Sequence, residues 1–355
     1  MALIQKLKHF IGGRIIKTAL SVFLTALICN WLHIPAIFAI ITAIVTIEPT
    51  ASDSIQKGII RFFASAIGAG YAILFLTWFG HTPFTYAFVT AATIMTCHKL
   101  RLEAGMLVAT LTAVAMASLM EQLTITSFFI RLSTTTIGIV ISTIVNLLIL
   151  PPKYSTFITN NIHQLYKRTA NVLEQRLLEI VHQRPQQKDT KLKYQLIIRQ
   201  IEKTEQLCHY QKQEWKFHRY SKQEMRKYHY EHKKLAVLQQ MLYHLANLVY
   251  LPFSKIFWDE KEKKHLLNIV EALVDGLNNC SYSFGERQKQ LARELFDDFK
   301  DDLYNLKTHS PDTYEHIFSP KSIVIYEILS IYDLVEELHH IHLQEEKHQN
   351  LVVYQ

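Results

Sequence analysis

The first 152 residues consist of long apolar runs separated by short charged connections. Runs without Asp, Glu, Lys or Arg cover Thr18–Ile47, Phe62–His98 and Ala104–Met120. A fourth run, Gln122–Pro152, contains one charged side chain, Arg131. Because about 20 apolar residues cross a bilayer, these lengths predict membrane-spanning helices.

Turn signals divide the two longest runs into two helices each. They are "NWLHIPA" at Asn30–Ala36 and "GHTP" at Gly80–Pro83, and Gly and Pro are the strongest local breakers. The pattern therefore predicts six spans, at about 15–32, 34–48, 60–79, 83–98, 104–120 and 124–150.

The second part of the chain has a different composition. Residues 1–152 carry nine Lys or Arg and four Asp or Glu, whereas residues 153–355 carry 29 and 27. Apolar side chains there recur at helical spacing, at Leu235, Leu238, Leu242, Leu245 and Val249 and at Ile325, Ile328, Tyr332, Val335 and Leu338. We expect an all-α protein, with a six-helix transmembrane domain at 1–152 and a helical cytoplasmic domain at 153–355. The stripes indicate core packing within one protomer, with a dimer interface as the alternative.

The net charge of +7 comes mostly from the membrane half, so it does not indicate a nucleic-acid partner. The segment Glu214–Lys234 mixes basic and aromatic residues without a nucleic-acid-binding module. We interpret it as a solvated helix surface, with contact to anionic lipid as the alternative. The sequence contains no motif for catalysis or nucleotide binding, and we predict neither a cofactor nor a bound metal.

Arg131 is the main candidate for function in the membrane half. Thr135, Gly138, Ser142 and Asn146 follow it on one helical face, on a helix otherwise rich in Ile, Leu and Val. Such a face packs inward or lines a cavity, which favours an interior Arg131 that binds an anion. The alternative is an arginine that snorkels to the outer headgroups.

A similar pattern occurs on the third span, where Arg61, Ser65, Gly68 and Ala72 share one face. Ala39, Thr42 and Ala43 precede Ala109, Thr112 and Ala113 by the same offset that relates Arg61 to Arg131. Three spans per unit would give the two units opposite topology, as in transporters that hold a substrate between inverted repeats. Arg61 would then lie near the cytoplasmic mouth and Arg131 near the outer one. Taken alone, Arg61 reads as a positive-inside anchor.

Two acidic residues lie near the predicted start of the third span, Glu48 and Asp53, and each is a candidate for capping. Glu48 either carries a proton for coupled transport or caps the turn at Pro49. Asp53 is expected to be the N-cap of the third span, because its side chain accepts from free backbone amides.

The stretch Ile41–Gly70 resembles the second-to-third helix junction of the aromatic acid exporter family. That family includes fusaric-acid-resistance-like proteins and is related to the plant aluminium-activated malate transporters. The matching residues are Pro49, Thr50, Ser54, Arg61 and Gly68, and the late helix with Arg131, Gly138 and Asn146 also fits. Ala64 departs from the pattern, since a glycine is common there, and the chain has one six-span unit where many exporters have two.

The resemblance implies six spans followed by a helical cytoplasmic domain, as in the short bacterial members, and efflux of small carboxylates, aromatic ones among them. The candidate substrate ligands are Arg61, Arg131, Thr135 and Asn146, and Glu48 is the proton-coupling candidate. The alternatives are an anion channel and a membrane-anchored scaffold acting through its cytoplasmic domain.

We expect a homo-oligomer, most simply a dimer, because one unit is half of what larger relatives carry. The small residues Ala64, Gly68 and Ala72 would allow close contact between helices. The mass of the protein in native lipid nanodiscs tests this, and a monodisperse monomer would contradict it.

The connections between spans predict the orientation in the cell membrane. Connections with Lys or Arg alternate with connections that have none, from Lys6 and Lys8 at the start to Lys153 after the sixth span. Cytoplasmic loops are rich in these residues, so both termini are expected in the cytoplasm. An impermeant thiol reagent added outside the cell should modify a cysteine at Thr82 and spare one at Lys99. The reverse labelling would refute this topology.

Overall fold

The computed structural model describes residues 13–119, 125–149, 152, 154–184, 188–251, 256–279, 283–308 and 318–353. All regular elements in these ranges are α-helices, which confirms the all-α class. We number them in chain order: α1 (Gly13–Trp31), α2 (Ile37–Thr46), α3 (Ala51–Phe79), α4 (Pro83–Lys99), α5 (Glu103–Leu119), α6 (Ile125–Leu148), α7 (Tyr154–Val181), α8 (Lys188–Glu214), α9 (Lys222–Tyr250), α10 (Glu260–Asn278), α11 (Glu286–Thr308) and α12 (Pro320–Val353).

The chain forms two compact units, and one of them is discontinuous in sequence. The first contains Met1–Lys153 together with Tyr210–Arg219. The second contains Tyr154–His209 and Tyr220–Gln355. A short segment from the polar half of the chain is therefore part of the apolar unit.

The helices of the first unit carry apolar side chains outward and small or polar side chains inward. On α1 the buried residues include Ser21 and Thr25, whereas Phe23 and Leu27 on the other face are more than half exposed. A soluble protein shows the reverse arrangement, so the outer surface of this unit suits lipid.

The six helices differ in their capacity to cross a bilayer. α1, α3 and α6 are long and apolar enough, α2 and most of α5 are shorter apolar helices, and α4 falls in neither class. Length and composition thus support three of the six predicted spans. α2 contains only ten residues, and Ile47, which follows its last residue Thr46, is already extended. A helix of that length covers about half of the hydrocarbon core of a bilayer.

α3 begins nine residues before the predicted start of the third span. Its N-cap is Thr50, whose Oγ1 accepts the N–H of Asp53 at 3.0 Å. Asp53 is thus in the first turn of the helix, and the prediction that Asp53 is the N-cap is wrong. Hydropathy located only the apolar part of α3, because the first turns carry Asp53, Gln56 and Lys57.

Two helix pairs in the first unit make close backbone contacts at equivalent positions. α3 packs on α5, and a Cβ at Gly68 would lie 2.7 Å from the backbone oxygen of Ala109. α6 packs on α2, where a Cβ at Gly138 would collide with the backbone oxygen of Ala39. The offset between the two glycines equals the offset between the two alanines. The two contacts therefore match under the offset noted in the sequence.

α3 and α6 run antiparallel, and the first half of α3 packs against α6. Three neighbouring pairs fix their direction: Ser54 with Asn146, Gly58 with Ile139, and Ser65 with Thr135. The hydroxyls of the last pair are 3.3 Å apart, and the two residues are 70 positions apart in sequence. The contact between the two halves is thus made by corresponding residues.

The small-residue face of α3 is buried inside the protomer. Ala64 and Ala72 are fully buried, Gly68 contacts α5, and a Cβ at Gly105 would collide with that of Ala64. This face cannot also form a dimer contact. The expectation of a homo-oligomer therefore loses the argument from Ala64, Gly68 and Ala72.

The second unit has an apolar core of its own. Both predicted stripes, on α9 and α12, are buried. α9 packs against α12 and α7, and α10 packs against α7. Core packing within one protomer therefore accounts for the stripes, as the sequence favoured.

The close approach at Gly68 predicts a steric effect with an internal control. Gly68→Ala should destabilise the protein by about 1–3 kcal/mol, because the helices must separate to admit the methyl group. Gly70→Ala, on the same helix with open space around it, should be neutral or slightly stabilising. Thermal unfolding midpoints in detergent compare the two, and equal midpoints would contradict the packing at Gly68.

Candidate functional site

Arg131 is buried in the first unit, with 1% of its surface exposed. Its Nη1 donates to Thr135 Oγ1, one turn further along α6. The guanidinium lies over the ring of Phe38 on α2, 4.5 Å from the ring centroid, which is a cation–π distance. The snorkelling interpretation does not fit a side chain in this position.

Arg131 has no carboxylate within ion-pair distance in the described part of the chain, and its Nη2 has no hydrogen-bond partner there. A buried charge is costly unless it is paired and hydrogen-bonded. A carboxylate ligand would supply the missing charge and two acceptor oxygens, and arginine binds such groups bidentately.

Arg61, the counterpart of Arg131 on α3, has a protein partner. Its Nη2 lies 2.6 Å from Glu48 Oε1, and Lys57 Nζ lies 3.0 Å from the other carboxylate oxygen. Arg61 Nε and Nη1 have no partner in the described ranges. Part of the guanidinium therefore stays available although its charge is balanced.

Glu48 lies in the connection between α2 and α3, beyond the end of both helices. Burial raises the pKa of its carboxyl, but hydrogen bonds and charges from Arg61 and Lys57 outweigh burial, so the pKa falls below its ordinary value. Glu48 is accordingly ionised while Arg61 stays in place. It forms an ion pair, and its backbone N–H donates to Ser54 Oγ.

Asn146 lies far from Arg131 and joins other elements. Its Nδ2 is within hydrogen-bond distance of Glu48 O, Thr50 O and Ser54 Oγ, at 3.1, 3.2 and 2.7 Å. Its Oδ1 accepts from Lys17 Nζ at 2.8 Å. The carboxamide thus holds α1, the α2–α3 connection and α3 against α6, and it is fully engaged in this junction.

The predicted site residues therefore divide into two groups. Arg131 and Thr135 form the first group with Ser65 and Phe38. The second group contains Arg61, Glu48, Asn146 and Lys17, because Asn146 donates to the backbone oxygen of Glu48 and accepts from Lys17. Fifteen residues separate Arg131 from Asn146 on α6, or roughly 22 Å along the helix axis. The structure does not bring Asn146 to the Arg131 site.

The Ser65–Thr135 contact connects the two arginines. Arg61 precedes Ser65 by one turn on α3, and Arg131 precedes Thr135 by one turn on α6. Because these helices are antiparallel, the arginines lie on opposite sides of the contact, each displaced along the axis by about 6 Å. A polar line thus runs Arg131, Thr135, Ser65, Arg61 through the bundle.

Lys17, Phe38 and Glu214 contact this region but were not predicted from the sequence. Lys17 reads as an ordinary charge at the edge of a span, and an aromatic residue such as Phe38 carries no signal in an apolar helix. Glu214 belongs to the segment interpreted as a solvated surface, yet only 1% of it is exposed and its Oε1 accepts the N–H of Ala51 at 2.8 Å. The solvated-surface interpretation is wrong at this residue and also at Tyr228, Glu231 and Lys234, which are buried.

Comparisons with known proteins support the resemblance. Residues 9–149 match the family described as aromatic acid exporter family member 1. A UPF0421 protein from Bacillus thuringiensis (strain Al Hakam) is 43% identical over 330 residues, covering 93% of each chain. UPF0421 proteins from Oceanobacillus iheyensis and Staphylococcus saprophyticus are 39% and 37% identical, covering 94% and 93% of this chain and 96% and 97% of their own.

The bonds of Asn146 predict a role in stability. Asn146→Leu should lower the thermal unfolding midpoint, because Lys17 loses one of its two acceptors and the backbone oxygen of Glu48 loses the Asn146 donor, and a buried group left unpaired costs about 1–3 kcal/mol. Asn146→Asp keeps an acceptor for Lys17 and should lose less. Asn160→Leu, at an exposed site on α7, is the control. If Asn146→Leu matched that control in stability but abolished transport, Asn146 would be a ligand instead.

Proposed function

The chain belongs to the aromatic acid exporter family, and we propose that it is an integral membrane transporter that exports small organic carboxylates. Family membership suggests a membrane transporter. The observation that carries the substrate class is Arg131, a buried guanidinium without a protein counter-ion among the described residues. The relatives are known only as UPF0421 proteins, a name that states no substrate, so the proposed substrate class rests on this site.

Arg131 is the proposed first ligand of the substrate carboxylate. Phe38 covers one face of the guanidinium and Thr135 holds Nη1, so Nη2 is the donor left for an anion. An aromatic ring attached to the carboxylate suits the apolar side chains around this site. No carboxylate of the described residues competes with the substrate for Arg131, and entry of a ligand requires the surrounding helices to open, because the side chain is buried.

Arg61 is the proposed second ligand, on the cytoplasmic side of Ser65 and Thr135. Its pairing with Glu48 provides a way to couple transport to a proton. When a substrate displaces Glu48 from Arg61, the carboxylate loses its stabilising partner and its pKa rises, so Glu48 binds a proton. Glu48 thus remains the proton-coupling candidate, with Arg61 as the group that controls it.

The internal repeat offers the geometry for such a cycle. The matching contacts at Gly68 and Gly138, and the Ser65–Thr135 pair, support two units of three helices related by a two-fold axis. With both termini in the cytoplasm and six spans across the plasma membrane, the units have opposite topology. If one three-helix repeat rocks against the other, the line from Arg131 to Arg61 would be exposed first to one side of the membrane and then to the other.

A homodimer remains part of the proposal, with a different basis. The α3 face of small residues is occupied within the protomer, so a dimer contact must use outward apolar residues. The second unit, residues 154–209 and 220–355, supplies a further surface for association.

Substitution of Arg131 tests the proposal. A strain lacking the protein is first screened for growth on a panel of aromatic and aliphatic carboxylic acids, and efflux of a labelled acid identified there is then measured. Arg131→Gln should reduce efflux at least about tenfold, since a charged hydrogen bond is worth about 1.5–3 kcal/mol. Arg131→Lys should retain part of the activity, because it keeps the charge but loses the donor fork.

Arg14→Gln, which removes an exposed arginine from α1, is the matched control and should export at the rate of the unmodified protein. All variants are compared at equal amounts in the membrane. Wild-type efflux by Arg131→Gln would show that Arg131 is not a ligand. Absence of any carboxylate phenotype in the deletion strain would count against the substrate class, and a membrane scaffold would then be the better account.

A further inference from the structure

Residues 210–219 belong to the membrane unit although they come from the polar half of the chain. They comprise the last five residues of α8 and the connection that follows it. The rest of α8, from Lys188 to His209, belongs to the second unit. One continuous helix is therefore shared by the two units.

Glu214 attaches this segment to the start of α3. Its carboxylate accepts the backbone N–H of Ala51, the first residue of that helix, at 2.8 Å. Helix N-termini carry free N–H groups and a partial positive charge, so a buried carboxylate is stabilised there. The ammonium of Lys17 on α1 also interacts electrostatically with Glu214.

His218 attaches the segment to the end of α6. Its Nε2 lies 2.9 Å from the backbone oxygen of Leu147, which is among the last carbonyls of α6 without a partner in the helix. Its Nδ1 lies 3.0 Å from Glu214 Oε2, an ion-pair distance without the alignment of a hydrogen bond. Glu214 and His218 therefore connect the start of α3 to the end of α6.

The attached helix ends are the ends of the antiparallel pair that carries the candidate ligands. Ala51 follows Thr50 and Leu147 follows Asn146, so the segment lies beside the Asn146 junction. If this end of the α3–α6 pair is to open towards the cytoplasm, the contacts of Glu214 and His218 must break. A segment placed there controls access to the polar line at its Arg61 end.

We propose that residues 210–219 form a cytoplasmic gate of the membrane unit, which Glu214 holds closed. This inference rests on the proposed orientation and transport function. Because Glu214 belongs to α8, a rearrangement of the second unit that shifts α8 also shifts the gate.

The gate is tested by access to the bundle interior, without any transported substrate. Ser65→Cys places a probe at the Ser65–Thr135 contact, in a full-length chain whose four native cysteines are replaced. The reaction rate with a charged, impermeant methanethiosulfonate is measured in inside-out and right-side-out vesicles. The chain with an intact gate should react slowly in inside-out vesicles.

Glu214→Ala should raise that rate at least about fivefold in inside-out vesicles and leave it unchanged in right-side-out ones. Glu214→Gln, which keeps an acceptor for Ala51, should give an intermediate rate. Glu202→Ala removes an exposed carboxylate from the same helix and should match the intact gate. If Glu214→Ala does not fold, His218→Ala, which removes the α6 contact alone, takes its place.

Equal labelling of a folded gate variant and the Glu202→Ala control would overturn the gate, and so would rapid labelling of the intact protein in inside-out vesicles. These outcomes do not depend on the substrate. Failure of carboxylate efflux alone would refute the proposed export of carboxylates and leave the labelling result standing. Faster labelling in right-side-out vesicles would instead place the segment on the other side of the membrane.

Discussion

The membrane unit depends on the rule that polar groups inside an apolar bundle must be satisfied by the protein itself. Asn146 meets this requirement for four elements at once, with its amide nitrogen on the α2–α3 connection and its oxygen on Lys17. This explains the run of Pro49, Thr50 and Ser54 that follows α2. Thr50 caps α3, Ser54 bridges to the oxygen of Thr46, and both accept from Asn146. The junction sets where α3 starts and thereby where Arg61 lies.

The two arginines are equivalent in sequence but differ in electrostatics. Arg61 has Glu48, whereas the residue that corresponds to Glu48 in the second half of the repeat is Ser118, which has no charge. Arg131 instead has the ring of Phe38, and the residue that corresponds to Phe38 in the other half is Val108. One arginine thus has an internal counter-ion and the other has an aromatic platform. The two halves of the repeat are therefore alike in backbone packing but unlike in the charge that faces each arginine.

Sequence patterns predicted the six helices of the first unit, both core stripes of the second and the interior position of Arg131. These features follow from hydropathy and helical spacing, which are local. The start of α3 was missed because its first turns are polar, and Asp53 was misplaced because Thr50 precedes it as a cap. The small residues of α3 predict a close helix contact, but their spacing does not identify the partner, which is α5 and not a second protomer. Glu214 and Phe38 were missed because their roles come from contacts with distant parts of the chain.

The shared helix α8 means that the boundary near residue 153 divides the sequence but not the folded unit. A chain truncated there would keep every apolar helix and lose the carboxylate on Ala51 and the imidazole on Leu147. The isolated N-terminal half therefore lacks part of its folded unit, and water or detergent would have to solvate the helix ends that Glu214 and His218 cover. Chimeras that exchange the two halves between relatives face the same difficulty. In such chimeras, residues 210–219 should come from the same parent protein as the membrane half.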